Sequence, residues 1–269
     1  MDLDRYARRV GLDRLPDPTL EGLRRLAFAH ATHVAFENFG AWLGHGVDLS
    51  LAAVEHKLVE QGRGGWCFEQ NLLFGTVLRS MGVDARDLAA RVLWFRPPGH
   101  RSPRTHRLLL LTIEGRPYVA DVGFGVVTLS TVLLLEPDIE QATPHELHRF
   151  VRDGHGWRLE AKLDSHWQPL YAFTLEPWCP EDFEPVNYQL AHDPASSFVQ
   201  SLALARATPT GRLTMRDLDF TRRERGVVVE SRRPASAAEL VDLVEGEFGV
   251  ACRSLPGLAA RCAPLFAAR

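Results

Sequence analysis

Cys67, His106 and Asp121 are a thiol, an imidazole and a carboxylate, the set needed to make and use a thiolate nucleophile. The carboxylate would orient the imidazole and fix its tautomer. The imidazole would take the thiol proton and later handle the proton of an incoming or leaving amine. Cys67 follows Arg63-Gly64-Gly65-Trp66 and opens an apolar-periodic run of Leu72, Leu73, Phe74, Val77, Leu78 and Met81, with Gly82 as its stop. This spacing predicts a helix whose first turn carries the thiol. Unpaired N–H groups and the positive end of the helix dipole favour the thiolate there. The two glycines permit a sharp turn and the close approach of another group. A lone cysteine beside a loop is more often an inert buried thiol, so the argument for chemistry rests on its two partners.

The flanking pattern places those partners on strands. Residues 88–95 read as one strand, the Pro-, Gly- and Arg-rich stretch 96–105 as a loop, and 107–113 as the next strand, with His106 at its start. Glu114-Gly115 is a turn signal, and residues 116–125 form the return strand. A two-residue loop pairs Ile113 with Arg116 and sets His106 opposite Gly123, which makes Asp121 its diagonal neighbour on the same face. One more loop residue would turn Asp121 to the other face.

These elements belong to an α+β chain read as three regions, 1–84, 85–190 and 191–269. The first is helical: Leu20, Leu23, Leu26, Ala27 and His30 mark an amphipathic helix after Pro16 and Pro18, residues 49–59 a second, and the Cys67 helix a third. The second region alternates strands with Gly, Pro and Asp turns, and its Trp157, Trp167, Tyr171 and Phe173 sit in short runs typical of a barrel or sandwich. The third mixes strand-like runs at 201–205 and 227–230 with a closing helix over 237–248, Ser236 serving as N-cap and Gly249 as stop.

Arg63-Gly64-Gly65-Trp66-Cys67-Phe68-Glu69-Gln70-Asn71 resembles the RGG-x-C-x-E-x-N signature of the arylamine N-acetyltransferases. Thr105-His106 and Asp121-Val122-Gly123-Phe124-Gly125 resemble that family's second and third motifs in order and separation. Tyr6 to Gly11, His30 with Phe36-Glu37-Asn38, and His192 to Phe198 resemble further family segments, so the likeness runs along nearly the whole chain. Ala35, Trp66 and the extra residue in His192-Asp193-Pro194 depart from the family pattern, and none of them touches the Cys–His–Asp set.

The resemblance implies an N-terminal helical bundle, a central β-barrel and a C-terminal α/β lid around a cysteine-protease-like catalytic core. It also implies acetyl transfer from acetyl-CoA to an arylamine or hydrazine through a Cys67 thioester. Phe36, Phe124 and Phe198, plain core aromatics by pattern alone, would then wall the acceptor pocket, with Thr105 and Gly123 near the thiol. Other readings stay open: an amide synthase of the same family that closes a macrolactam from a carrier-protein-bound polyketide, a papain- or transglutaminase-like hydrolase, or a non-catalytic small-molecule binder.

Composition narrows the partners. A formal net charge of −3 gives no argument for nucleic acid, and Lys57 and Lys162 are the only lysines, which leaves little scope for Schiff-base chemistry. The charged start lacks the apolar core of a signal peptide, and the longest apolar run, about 126–135, is too short to span a bilayer. Cys67, Cys179, Cys252 and Cys262 show no C-x-x-C pairing, so a cytoplasmic setting without a disulfide framework is expected. His30, His33 and Glu37 do not fit a zinc site, because Glu37 falls past the helix end, and no metal is expected at Cys67. His145 and His148 read as part of an exposed turn or short helix, and Glu69 and Asn71 as structural residues, with Arg63 tied to Glu37 or Asn38.

Overall fold

The computed structural model describes residues 1–97 and 99–267. Helices α1 (Leu3–Arg9) and α2 (Leu20–His33) lead into a two-residue strand β1 (Phe36–Glu37), followed by α3 (Phe39–Trp42), α4 (Leu51–Glu55) with a π-helical turn over His56–Glu60, and α5 (Cys67–Ser80). Thr19 caps α2 by accepting from the Gly22 N–H at 3.2 Å. In α5, Leu73, Phe74, Val77 and Leu78 are buried against Leu109 and Leu111 of the neighbouring sheet, and Gly82 stops the chain with φ +85°.

The second region holds β2 (Asp84–Val92), β3 (Arg104–Ile113), β4 (Arg116–Ala120), β5 (Val132–Leu134), β6 (Gln141–Ala142), β7 (Leu147–Asp153), β8 (Gly156–Leu163) and β9 (His166–Pro177). They form an eight-stranded antiparallel sheet in the order β5-β4-β3-β2-β9-β8-β7-β6, curled like a barrel around Leu108, Val119, Phe150, Leu159, Tyr171 and Phe173. Ile113 pairs with Arg116 as the sequence predicts, across a turn with positive φ at Glu114 and Gly115.

After β9 come α6 (Pro180–His192), α7 (Ser197–Gln200), β10 (Ala203–Ala207), β11 (Gly211–Arg216), β12 (Asp219–Glu224), β13 (Val227–Arg232), α8 (Ala237–Leu243) with a π-helical turn over Val244–Phe248, and α9 (Leu258–Ala267). The second sheet has the order β1-β10-β11-β12-β13, so the N-terminal Phe36–Glu37 pair is one of its edges. The fold is α+β with helical, barrel and mixed parts in that order.

Several sequence expectations need correction. The return strand stops at Ala120 rather than Gly125, because the Asp121 carboxylate accepts from the Gly123 N–H at 3.0 Å and turns the chain. Pro180–His192, read as part of a strand region, is a helix started by Pro180 and by Asp182 accepting from the Cys179 N–H at 2.9 Å. β11 and β12 escape notice because arginines interrupt their apolar residues Leu213, Met215 and Phe220. The helix at Ala237 is not the closing one, since α9 follows it. His148 lies fully buried in β7, not in an exposed turn, and burial pushes its imidazole down to about 4. Among the described residues, no helix is long and apolar enough to cross a membrane.

Candidate active site

Cys67 is the first residue of α5, and its neighbours explain why the turn before it contains two glycines. A Cβ on Gly64 would lie 2.2 Å from the Ala35 carbonyl oxygen, and one on Gly65 would lie 2.8 Å from Glu69 Oε2. The close approach allows backbone pairing. Gly65 N donates to the Ala35 carbonyl at 3.1 Å, and its own carbonyl accepts from Glu37 N at 3.2 Å. Gln70 Nε2 donates to the same carbonyl at 2.6 Å, and Glu69 Oε2 accepts from Trp66 N at 3.0 Å.

A buried ion cluster holds this turn from behind. Arg63 Nη2 lies 2.6 Å from Glu37 Oε1, while Lys57 Nζ lies 3.4 Å from Glu37 and 2.7 Å from Glu69. Burial alone would raise the Glu37 pKa, but the Lys57 and Arg63 charges outweigh it and hold the carboxyl below its usual value. Burial dominates for Glu69, and with the Glu37 charge it holds that carboxyl above its usual value despite Lys57. Arg63 thus meets Glu37 rather than Asn38. Asn38 Nδ2 instead donates to the carbonyls of Phe198 at 2.7 Å and Ser201 at 2.8 Å. Lys57, which no sequence motif flags, supplies the second cation.

His106 and Asp121 are 2% and 0% exposed, and His106 Nε2 lies 2.7 Å from Asp121 Oδ2. The Cys67 thiol is close enough to act on the same imidazole, adding to the effect of Asp121 on its protonation. With Nε2 on Asp121, Nδ1 is the nitrogen left for sulfur. Burial would lower the His106 pKa, but the Asp121 charge and hydrogen bond, reinforced by the sulfur, push it up to about 10. Burial would raise Asp121, yet His106, Asn71 and the Gly123 N–H together hold it below the usual carboxylate range. His106 and Asp121 are thus paired directly, and the Cys67 thiol acts on the same imidazole.

The remaining candidates gather around them. The Cys67 sulfur lies 3.8 Å from the Thr105 carbonyl oxygen, so Thr105 meets the thiol through its main chain. Gly123 packs so tightly that a Cβ there would sit 2.7 Å from Cys67 Cα. The Phe124 ring stands edge-on to His106 at 5.1 Å, while Phe36 and Phe198 pack together at 6.1 Å beside Trp66. Phe36, Cys67 and Phe198 line one apolar cluster with Trp66 and Phe68. Tyr171, not singled out by sequence, packs 5.0 Å from His106, and burial together with the Asp121 charge keeps its phenol protonated. Among the described residues, no group of three or more His, Cys, Asp or Glu side chains could hold a metal ion.

A cavity of about 850 Å³ opens between the barrel and the second sheet, lined in part by Trp94, Val126, Arg212, Arg223 and Arg225. It adjoins this centre: Trp94 packs 6.4 Å from Phe124, and Val126 follows Gly125 directly. Arg212 pairs with Glu146, whereas Arg223 and Arg225 form no ion pair among the described residues.

Known proteins share this architecture. The family model described as N-acetyltransferase matches residues 19–254. The arylamine N-acetyltransferase of Mycolicibacterium smegmatis is 38% identical over 261 residues, covering 96% of this chain and 94% of its own. The arylamine N-acetyltransferase / N-hydroxyarylamine O-acetyltransferase of Salmonella typhimurium is 38% identical over 249 residues, covering 92% of this chain and 88% of its own. The solved structure of the Mycobacterium marinum arylamine N-acetyltransferase in complex with CoA superposes with a TM-score of 0.92 at 35% identity, over 98% of this chain and 99% of that one. With matches of this extent in both sequence and structure, the chain belongs to the arylamine N-acetyltransferase family and is an acyltransferase.

Proposed function

We propose that Cys67, His106 and Asp121 transfer an acetyl group from acetyl-CoA to an arylamine or hydrazine in two steps. The observation that carries this reading is the buried His106 imidazole, bonded through Nε2 to Asp121 and influenced by the Cys67 thiol at the start of α5. In the first step His106 Nδ1 holds the thiol proton, and the Cys67 thiolate attacks the acetyl carbonyl. The tetrahedral intermediate expels the CoA thiolate, which takes that proton from His106. In the second step the amine attacks the Cys67 thioester, His106 accepts the amine proton, and the sulfur leaves as thiolate. N–H groups of the first turn of α5 have no intrahelical acceptor and can stabilise the oxyanion of both intermediates.

Thioester exchange changes free energy little, so the intermediate keeps its drive toward an amine. The buried imidazole and the rings of Phe36, Phe124 and Phe198 limit competing attack by water and suit a flat acceptor. The 850 Å³ cavity supports the donor assignment, since Arg223 and Arg225 there could pair with the phosphates of CoA. Intact mass after mixing with acetyl-CoA tests the scheme: the wild-type chain gains one acetyl group, and Cys67→Ala gains none. Initial-rate lines that converge instead of running parallel would sink it.

A further inference from the structure

The outer face of the barrel carries a second cavity, of about 880 Å³, whose wall includes Arg91, Arg96, Arg101, Arg104 and Arg158. None of the residues around Cys67 lines it. Asp153 is the one acidic residue of that wall among the described residues, in a chain whose net charge is −3. Five guanidinium groups surround one concave space, and carboxylates of the chain neutralise only two of them, Arg104 and Arg158.

Their anchoring divides them into two kinds. Arg158 is fixed by Glu160 at 2.9 Å and Asp153 at 3.4 Å, Arg104 by Glu176 at 3.1 Å, and Arg91 by the Ser102 carbonyl. Arg96 and Arg101, on the loop between β2 and β3, are exposed and have no ion pair among the described residues. Each therefore retains its full set of fork-shaped donors, the geometry that binds phosphoryl oxygens in pairs. Three anchored cations and two free ones match a ligand with several charges better than a single carboxylate.

We infer that this cavity binds a small anion bearing two or more phosphoryl groups, at a site separate from the one that accepts the acyl donor. The ligand could be a free polyphosphate or the diphosphate of a nucleotide, which share this chemistry.

Calorimetric titration of the full chain with inorganic pyrophosphate tests the site. The expected result is saturable 1:1 binding, weakened at least about tenfold in an Arg96→Ala/Arg101→Ala double variant. Both side chains are exposed and unpaired, so the melting temperature and the initial rate with acetyl-CoA should stay unchanged in that variant. Adenosine diphosphate in place of pyrophosphate separates the two sources, tighter binding indicating a nucleotide and equal or weaker binding a free polyphosphate. The inference is overturned if pyrophosphate does not saturate one site. It is equally overturned if the loss of pyrophosphate binding follows Arg223→Ala/Arg225→Ala instead of Arg96→Ala/Arg101→Ala.

Discussion

Asn71 Nδ2 donates to Asp121 Oδ1 at 2.9 Å, so the helix that carries the sulfur also holds the carboxylate. Asn71 stands four residues after Cys67, on the same helix face. The same amide donates to the Arg107 carbonyl at 2.6 Å, and its Oδ1 accepts from Val122 N at 3.1 Å. It thus ties the residues after His106 and Asp121 to α5. Asn71→Ala should lower kcat by roughly 100-fold with little change in KM, the scale of a small misplacement of reacting groups. Rates within about threefold of wild type would refute this positioning role.

Asp121→Asn removes the charge that raises the His106 pKa to about 10. Activity should fall by about 10⁴-fold, the loss seen when the carboxylate of a triad becomes an amide. The imidazole pKa should move down, which NMR titration of the His106 ring would register. An unmoved titration in a folded variant would contradict the assigned cause.

Gly123→Ala places a methyl group 2.7 Å from Cys67 Cα and 3.0 Å from Asn71 Nδ2, both of which must then shift. A fall in kcat/KM of about 100-fold is expected. Circular dichroism should show the fold retained, and an active variant with unaltered rates would argue against so close a contact.

Arg63→Met leaves the Glu37 carboxylate buried with Lys57 at 3.4 Å as its remaining cation and the Phe39 N–H at 2.7 Å as its remaining donor. Removing one partner of a buried ion pair costs about 3–5 kcal/mol, so urea unfolding should show a loss of that size. A loss below about 1 kcal/mol would mean that the cluster relaxes or hydrates freely.

Stability should peak near neutral pH and decline on both sides. Burial pushes His30 down to about 3 and His148 down to about 4, so both stay neutral in the folded chain while the unfolded chain takes protons below about pH 6.5. Their contribution is complete above that point and is lost progressively as pH falls toward the folded values. The sign is opposite for His106. Its pKa is raised to about 10, so its contribution is complete below about pH 6.5 and is lost as pH rises through the folded value. Urea midpoints at about pH 5, 7 and 9.5 check both slopes, and a flat profile would contradict them.

The closeness of His106 and Asp121 was legible because each sits in a short local motif and the Glu114-Gly115 turn fixes the register between their strands. What escaped was long-range. Nothing local to Lys57 signals that it pairs with Glu37 and Glu69, nor does a strand pattern show Tyr171 against His106. His148 reads as exposed from its polar neighbours, yet it is buried in β7. Pro185 within Pro180–His192 disguised a helix that its capping acid stabilises.

Phe36 pairs with Ala205 of β10 and also bridges to Gly65, two residues before the sulfur. The turn that presents Cys67 is therefore braced by a segment made much later on the ribosome. A nascent chain halted before β10 holds this turn only through Ala35, Glu37 and the Lys57–Arg63 cluster, and the outer brace arrives when translation is well past the midpoint.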